Sequence, residues 1–353
     1  MKRGLVMLDP AEIPPGELER RVGELQSHLR GQGLAAALIY ADVYHSGDIS
    51  FLTNICVYWN EALLAVPADG GPALLSKISR RVHPWMRATS SLEDLRSGPN
   101  LADLAGHYVG ELGPGSIGLV EMDWWPAQIV EDLQAALPGR DIRDLGDLVR
   151  RRRRSPSAPE AELLRTAAGL TGRAVISALD GPPRNPQRAG RAELTARLGG
   201  AEDVSVYCHP STPEADTVEV VSEYRGYWTS AARVVSKSGT AWAGPMAEAY
   251  RAAVSALGSG VTGERVRAAV AGPLAPTGLG WRVDVIDHAD LETDGGYRSA
   301  ADLGEPLGDA SVVALRLELD LPDGSSAVLA DTFEVDGDTA HCLTRNGHDA
   351  DPE

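Results

Sequence analysis

Apolar positions in the first 145 residues alternate between helical spacing and short continuous runs. Residues 16–33 carry apolar side chains at helical spacing and end in glycine, which predicts a helix. The next run, 35–41, is short and apolar throughout, as in a buried strand. Later segments predict three strands at 51–55, 61–67 and 72–78, then a helix, a strand and a helix at 100–112, 116–122 and 126–137. This alternation predicts a small mixed α/β domain.

Strands dominate the pattern from residue 203 onward. Before them, a long helix begins near Glu160, with Ser157 as its expected cap and Pro159 in its first turn. The strand-like segments are 203–209, 217–224, 226–235, 278–287, 311–321 and 325–335, and helical segments at 243–257 and 261–274 interrupt them. We therefore expect an α/β domain over 1–148 and, over 149–353, an α+β domain whose helices cover an antiparallel sheet.

The net negative charge of the chain limits the kinds of molecule that it is expected to bind. The 353 residues carry a formal net charge of −17, and the sequence pI is near 4.9. Such a surface argues against nucleic acid or an anionic membrane as the main partner. Five consecutive arginines at 150–154 form the most basic run, and we interpret them as the charged end of a helix that links the domains.

The number and spacing of the cysteines, and the length of the apolar runs, indicate where in the cell the protein lies. The three cysteines, Cys56, Cys208 and Cys342, form no C-x-x-C pair and predict neither a disulfide framework nor a structural zinc. The first residues lack the long apolar core of a secretory signal, and no apolar run approaches the length of a membrane span. We therefore expect a cytoplasmic protein.

The stretch "EYRGYWTSAARV" at 223–234 has the spacing of a metal-site motif without the metal ligands. A Tyr-x-Gly-Tyr turn leads into a strand, and Arg233 follows Gly226 by seven residues. A dinuclear metalloenzyme would place carboxylates here, because hard divalent ions need several anionic oxygens. Ser230 and two alanines stand in that neighbourhood instead.

The order of four further fragments carries a family resemblance. They are "SPSAPEAELLRTAAGLT", "GVTGERV", "TGLGW" and "LADTFEV", which follow one another between residues 155 and 335. Together with 223–234 they resemble the pita-bread metallopeptidase superfamily of Xaa-Pro aminopeptidase, prolidase and creatinase. The resemblance implies an α/β N-terminal creatinase-like domain and an α+β pita-bread C-terminal domain. It also implies a homodimer in which the partner's N-terminal domain lies near the pocket.

In that superfamily, two Asp, one His and two Glu side chains hold two metal ions. Aligned on the glycine and arginine of the stretch above, these positions fall on Glu219, Ser230, Thr277, Arg316 and Ala330. Only Glu219 retains a carboxylate, and Arg316 adds a positive charge that it keeps at any working pH. We therefore expect no metal and no other cofactor, with residual cation binding at Glu219 left open.

Two residues are the expected acid/base groups. The resemblance places His209 where creatinase, the metal-free relative, keeps its general acid/base histidine, and Asp284 where the superfamily keeps a substrate-facing histidine. A neutral imidazole near pH 7 suits proton transfer without a metal. We expect Arg316 to bind a carboxylate of the substrate. The other expected substrate-binding residues are Trp228, Tyr227, Arg233 and His288.

Structural roles compete with these assignments. An aromatic residue on a strand is more often part of a core, which applies to Tyr227 and Trp228. The arginine matched by Arg233 often supports the sheet, and a histidine at a strand end such as His209 is often only hydrogen-bonded.

Three functions follow from this sequence. The first is a metal-independent creatinase-like enzyme that acts on a small, anionic, C–N-containing metabolite by histidine acid/base catalysis. The second is a non-catalytic pseudo-peptidase that serves as a binding or scaffold protein. The third, a metal-dependent Xaa-Pro peptidase, conflicts with the missing ligands. The expected partners are a small-molecule substrate and a second copy of the chain, with neither nucleic acid nor a membrane.

Overall fold

The computed structural model describes residues 8–57, 60–180, 187–209, 215–236, 240–292 and 306–345. The first seven residues, where we expect no secretory signal, lie outside these ranges. The chain divides between Arg153 and Arg154 into two compact units. Of the helices in the described ranges, none combines the length and the apolar character that crossing a membrane requires.

A six-stranded mixed sheet forms the centre of the N-terminal unit. Its strands are β1 (Leu34–Ala41), β2 (Ala62–Pro67), β3 (Ala73–Ser76), β4 (Asp94–Ser97), β5 (Ser116–Val120) and β6 (Ile142–Asp144), in the order β4-β3-β2-β1-β5-β6. The helices are α1 (Glu17–Gly31), α2 (Gly47–Thr53), α3 (His83–Thr89), α4 (Leu101–Glu111), α5 (Ala127–Ala136) and α6 (Leu148–Arg153). Strand β1 pairs with β5 in parallel and with β2 in antiparallel orientation.

Both faces of this sheet are buried. Ile39 of β1 packs in one apolar cluster with Leu25 of α1, and Leu38 packs in a second cluster with Ala105 of α4. Because neither face meets water, the central strands are apolar at nearly every position. This explains why the run at 35–41 shows no alternation.

The run at 51–55 is not the strand that the sequence predicts. Ile49, Leu52 and Thr53 are fully buried at helical spacing within α2, and Asn54 ends the helix in the left-handed conformation (φ 62°). A short apolar run fits either a strand or one turn of a buried helix, so the pattern alone could not separate the two.

A seven-stranded antiparallel sheet forms the centre of the C-terminal unit. Its strands are β7 (Asp203–Cys208), β8 (Ala215–Tyr224), β9 (Tyr227–Ser236), β10 (Trp281–Asp287), β11 (Val312–Asp320), β12 (Ser326–Asp336) and β13 (Thr339–Cys342). The order is β10-β11-β12-β9-β8-β7, and β13 pairs with β12. The helices are α7 (Ala158–Leu179), α8 (Gln187–Leu198), α9 (Ala243–Ser255) and α10 (Gly263–Leu274).

The start of α7 follows the prediction closely. Ser157 and Glu160 form a capping box, in which the Ser157 backbone N–H donates to Glu160 Oε2 at 2.8 Å, and Pro159 lies in the first turn. Further along the helix, a Cβ at Gly172 would lie 2.2 Å from the carbonyl oxygen of Thr344. A glycine is therefore required where α7 meets this backbone.

The helices cover one face of the C-terminal sheet. Val220 and Ala231 pack in a cluster with α7 and α8, while Val285 and Leu317 pack in a cluster with α9 and α10. Neighbouring residues along a strand point to opposite faces. The residues next to these valines and alanines therefore line the face opposite the helices, where the candidate site lies.

Candidate functional site

Strand register places six side chains in one row on the face opposite the helices. The row is Tyr207, Glu219, Ala232, Ala330, Arg316 and Asp284. Three strand spacings, roughly 14 Å, separate the backbones of Glu219 and Arg316. Because only alanine side chains stand between them, the two long side chains can meet over the sheet.

Arg316 and Glu219 form a buried ion pair. Arg316 Nε donates to Glu219 Oε1 at 2.8 Å, and Nη2 donates to Oε2 at 3.4 Å. The side chains are 5% and 1% exposed. The third nitrogen, Nη1, donates to Glu318 Oε2 at 2.7 Å. Burial on its own would lower the pKa of Arg316, but the charges and hydrogen bonds of Glu219 and Glu318 raise it, so the guanidinium stays charged.

Asp284 and Arg282 extend this network on the side away from Glu219. Asp284 Oδ2 lies 4.0 Å from Arg316 Nη1 and 2.9 Å from Arg282 Nε, and Arg282 Nη2 lies 3.4 Å from Glu318 Oε2. Burial opposes ionisation of Glu318, yet its hydrogen bond to Arg316 lowers the pKa below the usual value. Three carboxylates face two guanidinium groups, so the network has one excess negative charge.

His209 follows β7 directly and reaches the network through Glu219. Its backbone N–H donates to the Thr217 carbonyl at 3.1 Å, and its Nε2 lies 3.4 Å from Glu219 Oε2. The imidazole is 18% exposed, whereas Glu219 is 1% exposed. A continuous series of contacts thus joins His209, Arg316 and Asp284, the three residues that the sequence leads us to expect together.

The positions that the resemblance assigns to metal ligands do not supply a metal-binding donor set. Glu219 is engaged by Arg316. The Ser230 backbone exchanges hydrogen bonds with the Thr332 hydroxyl at 3.0 and 2.9 Å, and the Thr277 hydroxyl donates to the Leu274 carbonyl at 2.7 Å. Within the described ranges, no three His, Cys, Asp or Glu side chains are arranged to hold a metal. Hard divalent ions need several anionic oxygens, so the residues present do not fit two such ions.

Tyr227 and Arg233 lie on the helix-covered face of the sheet. Arg233 Nη1 donates to the carbonyls of Ala232 and Ala330 at 2.9 and 3.0 Å, and Nη2 donates to Asp331 Oδ1 at 2.8 Å. Tyr227, 6% exposed, donates its hydroxyl to Glu160 Oε1 at 3.0 Å. These contacts connect β9 to β12 and to α7. Substrate binding by these two residues stays a prediction, and their contacts describe support of the sheet.

Trp228 and His288 are buried near one end of the sheet. Trp228, 4% exposed, packs in an apolar cluster that includes Ile286 and Leu291. His288, 1% exposed, lies 4.0 Å from Asp287 Oδ1 through its Nε2. Their burial fits the core role that competes with substrate binding, so their substrate-binding role also stays a prediction.

Two members of the network, Glu318 and Arg282, are not among the residues that the sequence singles out. Glu318 lies two positions after the predicted residue Arg316 on β11, and Arg282 lies two positions before the predicted residue Asp284 on β10. Residues at i and i+2 of a strand share a face. That spacing was the available signal, and it identifies the two side chains that share the charge of Arg316.

The comparisons with known proteins agree with this architecture. Residues 21–155 match the family model of the creatinase/prolidase N-terminal domain. No curated protein matches the sequence.

Solved structures match over nearly the full length. The prolidase from Pyrococcus horikoshii OT3 aligns with a TM-score of 0.75 at 13% identity, over 94% of this chain and 99% of that one. The X-Pro aminopeptidase from Thermotoga maritima MSB8 gives 0.77 at 16% identity, over 92% and 97%. The dipeptidase PepE from Mycobacterium ulcerans gives 0.73 at 20% identity, over 97% and 98%. The fold class predicted from the sequence is thereby confirmed: residues 21–155 match the creatinase/prolidase N-terminal domain, and the chain has the pita-bread fold seen in the solved prolidases and Xaa-Pro peptidases.

Proposed function

We propose that this protein is a metal-independent enzyme that acts on a small C–N-containing molecule, with His209 as its acid/base group. The contact of His209 with Glu219, which is itself held by Arg316, is the observation that carries the proposal. An oriented imidazole at a site that lacks anionic ligands for a metal favours proton transfer over metal-activated water.

We infer the tautomer of neutral His209 from its contact with Glu219. A carboxylate only accepts hydrogen bonds, so His209 Nε2 carries the hydrogen that points to Glu219 Oε2. The lone pair of the neutral ring is then on Nδ1, which becomes the nitrogen that accepts a proton from the substrate. Glu219 also stabilises the imidazolium that forms after the transfer. Glu219 is therefore a positioning residue for His209.

The expected binding of a substrate carboxylate by Arg316 stays a prediction, and its contacts within the chain bear on it. All three of its guanidinium nitrogens already donate to Glu219 or Glu318. A substrate carboxylate would therefore have to share this guanidinium with the two glutamates, through the remaining N–H groups of Nη1 and Nη2. Because two glutamates already share this guanidinium, the proposed substrate need not be anionic, and the excess negative charge of the network favours a neutral or cationic one. Asp284 remains the proposed second acid/base group, with Arg282 as its ion-pair partner.

A non-catalytic binding or scaffold protein is the second candidate, and one observation favours it. Arg316 fills the centre of the row with the chain's own charge, and Ala232, Val328 and Ala330 form a fully buried cluster beside it. A site filled by its own side chains leaves little room for substrate.

The arginine run supports the proposal that nucleic acid is not a partner. Each of the five arginines lies within ion-pair distance of a carboxylate: Arg150 of Glu121, Arg151 of Asp147, Arg152 of Glu24, Arg153 of Asp48 and Arg154 of Asp290. We retain as proposals the cytoplasmic location and the homodimer with the partner's N-terminal domain near the pocket.

The test is turnover of a panel of small amides, amidines, guanidines and Xaa-Pro dipeptides, followed by mass spectrometry with and without EDTA. We expect turnover of a member of this panel that EDTA leaves unchanged and that His209→Gln lowers by about 10²-fold or more in kcat. His341→Gln, which changes an exposed histidine in the same unit (62% exposed), is the matched control. Turnover that EDTA abolishes would contradict the proposal, and ligand binding without turnover would favour the second candidate.

A further inference from the structure

We propose that Glu219, Glu318 and Asp284 form a guanidinium-binding site whose resident occupant is the chain's own Arg316. The inference concerns what the site binds and does not depend on whether His209 catalyses a reaction. It assigns Arg316 as an internal ligand that the rest of the site is built to hold.

The carboxylates are placed around the edges of the planar guanidinium group of Arg316. One edge of the guanidinium, Nε and Nη2, faces the two oxygens of Glu219 at 2.8 and 3.4 Å, which is the bidentate arrangement that carboxylates make with arginine. The remaining nitrogen, Nη1, points to Glu318 at 2.7 Å and has Asp284 at 4.0 Å. A lysine ammonium is a compact point charge and could not present this planar fork to Glu219 while it also reaches Glu318 in the same geometry.

Burial makes a cation necessary at this position. The side chains of Glu219 and Arg316 are 1% and 5% exposed, and the side chains between them are alanines that offer no charge. A carboxylate this deep would be neutralised by a proton or would destabilise the fold if it had no positive partner. The ion pair therefore supplies from within the chain what a bound cation would otherwise supply.

The shape of the site selects among cations. The carboxylates surround the edges of a flat group, and within the described ranges no three acidic or histidine side chains converge on a single point as metal ligands do. The site should therefore accept free guanidinium or an alkylguanidinium once the Arg316 side chain is shortened, and should accept a divalent metal poorly.

The experiment is chemical rescue of the full-length Arg316→Ala variant, followed by its thermal unfolding temperature. We expect guanidinium chloride or methylguanidinium chloride, at low millimolar concentrations, to raise the Tm of this variant. The rise should reach about 3–6 °C at ten times the Kd. Sodium chloride and urea at the same concentrations should give no rise. Arg282→Ala removes an arginine that is 51% exposed beside the same carboxylates, and guanidinium should not rescue it.

Three results would overturn the proposal: no rise with guanidinium, an equal rise with sodium chloride, or a rise with Mn²⁺ alone. Arg316→Lys gives a second measurement should the alanine variant not fold. Because lysine keeps the charge and loses the fork, we expect Arg316→Lys to lower the Tm clearly more than Arg282→Lys does. Equal Tm values for the two lysine variants would also overturn the proposal.

Discussion

Replacing Glu219 by glutamine removes one charge from a pair that is almost completely buried, while it keeps the side-chain volume. Arg316 would then keep Glu318 at 2.7 Å and Asp284 at 4.0 Å, but would lose its bidentate partner. Breaking a buried ion pair by changing one partner costs about 3–5 kcal/mol. Since two carboxylates remain near the guanidinium, we expect Glu219→Gln to lower the free energy of unfolding of the C-terminal unit by about 2–4 kcal/mol.

A second arginine–glutamate pair in the same unit gives the matched control. Arg165 also contacts Glu334 in a bidentate manner, at 2.7 and 3.2 Å, but its side chain is 45% exposed and that of Glu334 is 19% exposed. Exposed pairs contribute about 0.2–1 kcal/mol. Glu334→Gln should therefore cost about 1 kcal/mol or less, and this smaller effect should fade in 1 M salt.

The assay is urea unfolding at pH 7, followed by circular dichroism at low and at high salt. The reasoning predicts a large loss for Glu219→Gln that salt leaves nearly unchanged, beside a small loss for Glu334→Gln. Equal losses in the two variants would refute it, because both pairs are bidentate and burial is the main difference between them.

Two further predictions concern positions outside the site. On α7, Gly172→Ala should lower the free energy of unfolding by about 1–3 kcal/mol, because its Cβ would lie 2.2 Å from a backbone carbonyl oxygen. The control, Gly169→Ala on the same helix, should be neutral or stabilise the protein by up to about 1 kcal/mol. Equal losses of stability in the two variants would contradict the close approach at Gly172. In the N-terminal unit, burial and then the charge of Asp48 raise the pKa of Glu121 from 4.5 to about 7, more than Arg150 lowers it. The folded state therefore holds this proton more tightly than the unfolded state, so the contribution of Glu121 to stability should fall by on the order of 2–3 kcal/mol as the pH rises from about 4.5 to about 7. Thermal unfolding across this range should show a smaller fall for Glu121→Gln, and parallel curves would contradict the assignment.

The fold followed from the sequence because its signals repeat over many residues. The capping box at Ser157 and the long strands β8, β9, β11 and β12 each carry a pattern of several positions, and the fragments at 155–335 added the family resemblance that implied the pita-bread fold. Strands β4, β6 and β13 are three or four residues long and, unlike the equally short β3, contain few apolar residues, so they give no recognisable pattern. The prediction of a strand at 51–55 was wrong because a short buried helix and a short buried strand can have the same run of apolar residues.

The sequence predicted charged residues that lie at the site, but it did not predict which of them contact one another. The sequence alone indicated that Arg316 adds a positive charge where only Glu219 keeps a carboxylate. That the two form one ion pair depends on the register of four strands and on two alanines between them, which no local pattern encodes. The carboxylate of Glu318, the second partner of Arg316, was also missed, although its spacing of two residues from Arg316 on the same strand was a local signal for it.

Metal analysis of the full-length protein tests the central claim most directly. The chain should be purified without chelator, incubated with Mn²⁺, Co²⁺ or Zn²⁺, separated from free ions and measured by plasma mass spectrometry. Because Arg316 occupies the carboxylate of Glu219, we expect no stoichiometric transition metal in any of these samples. Two bound ions per chain would contradict the account, since a dinuclear centre requires the ligands that this site does not supply.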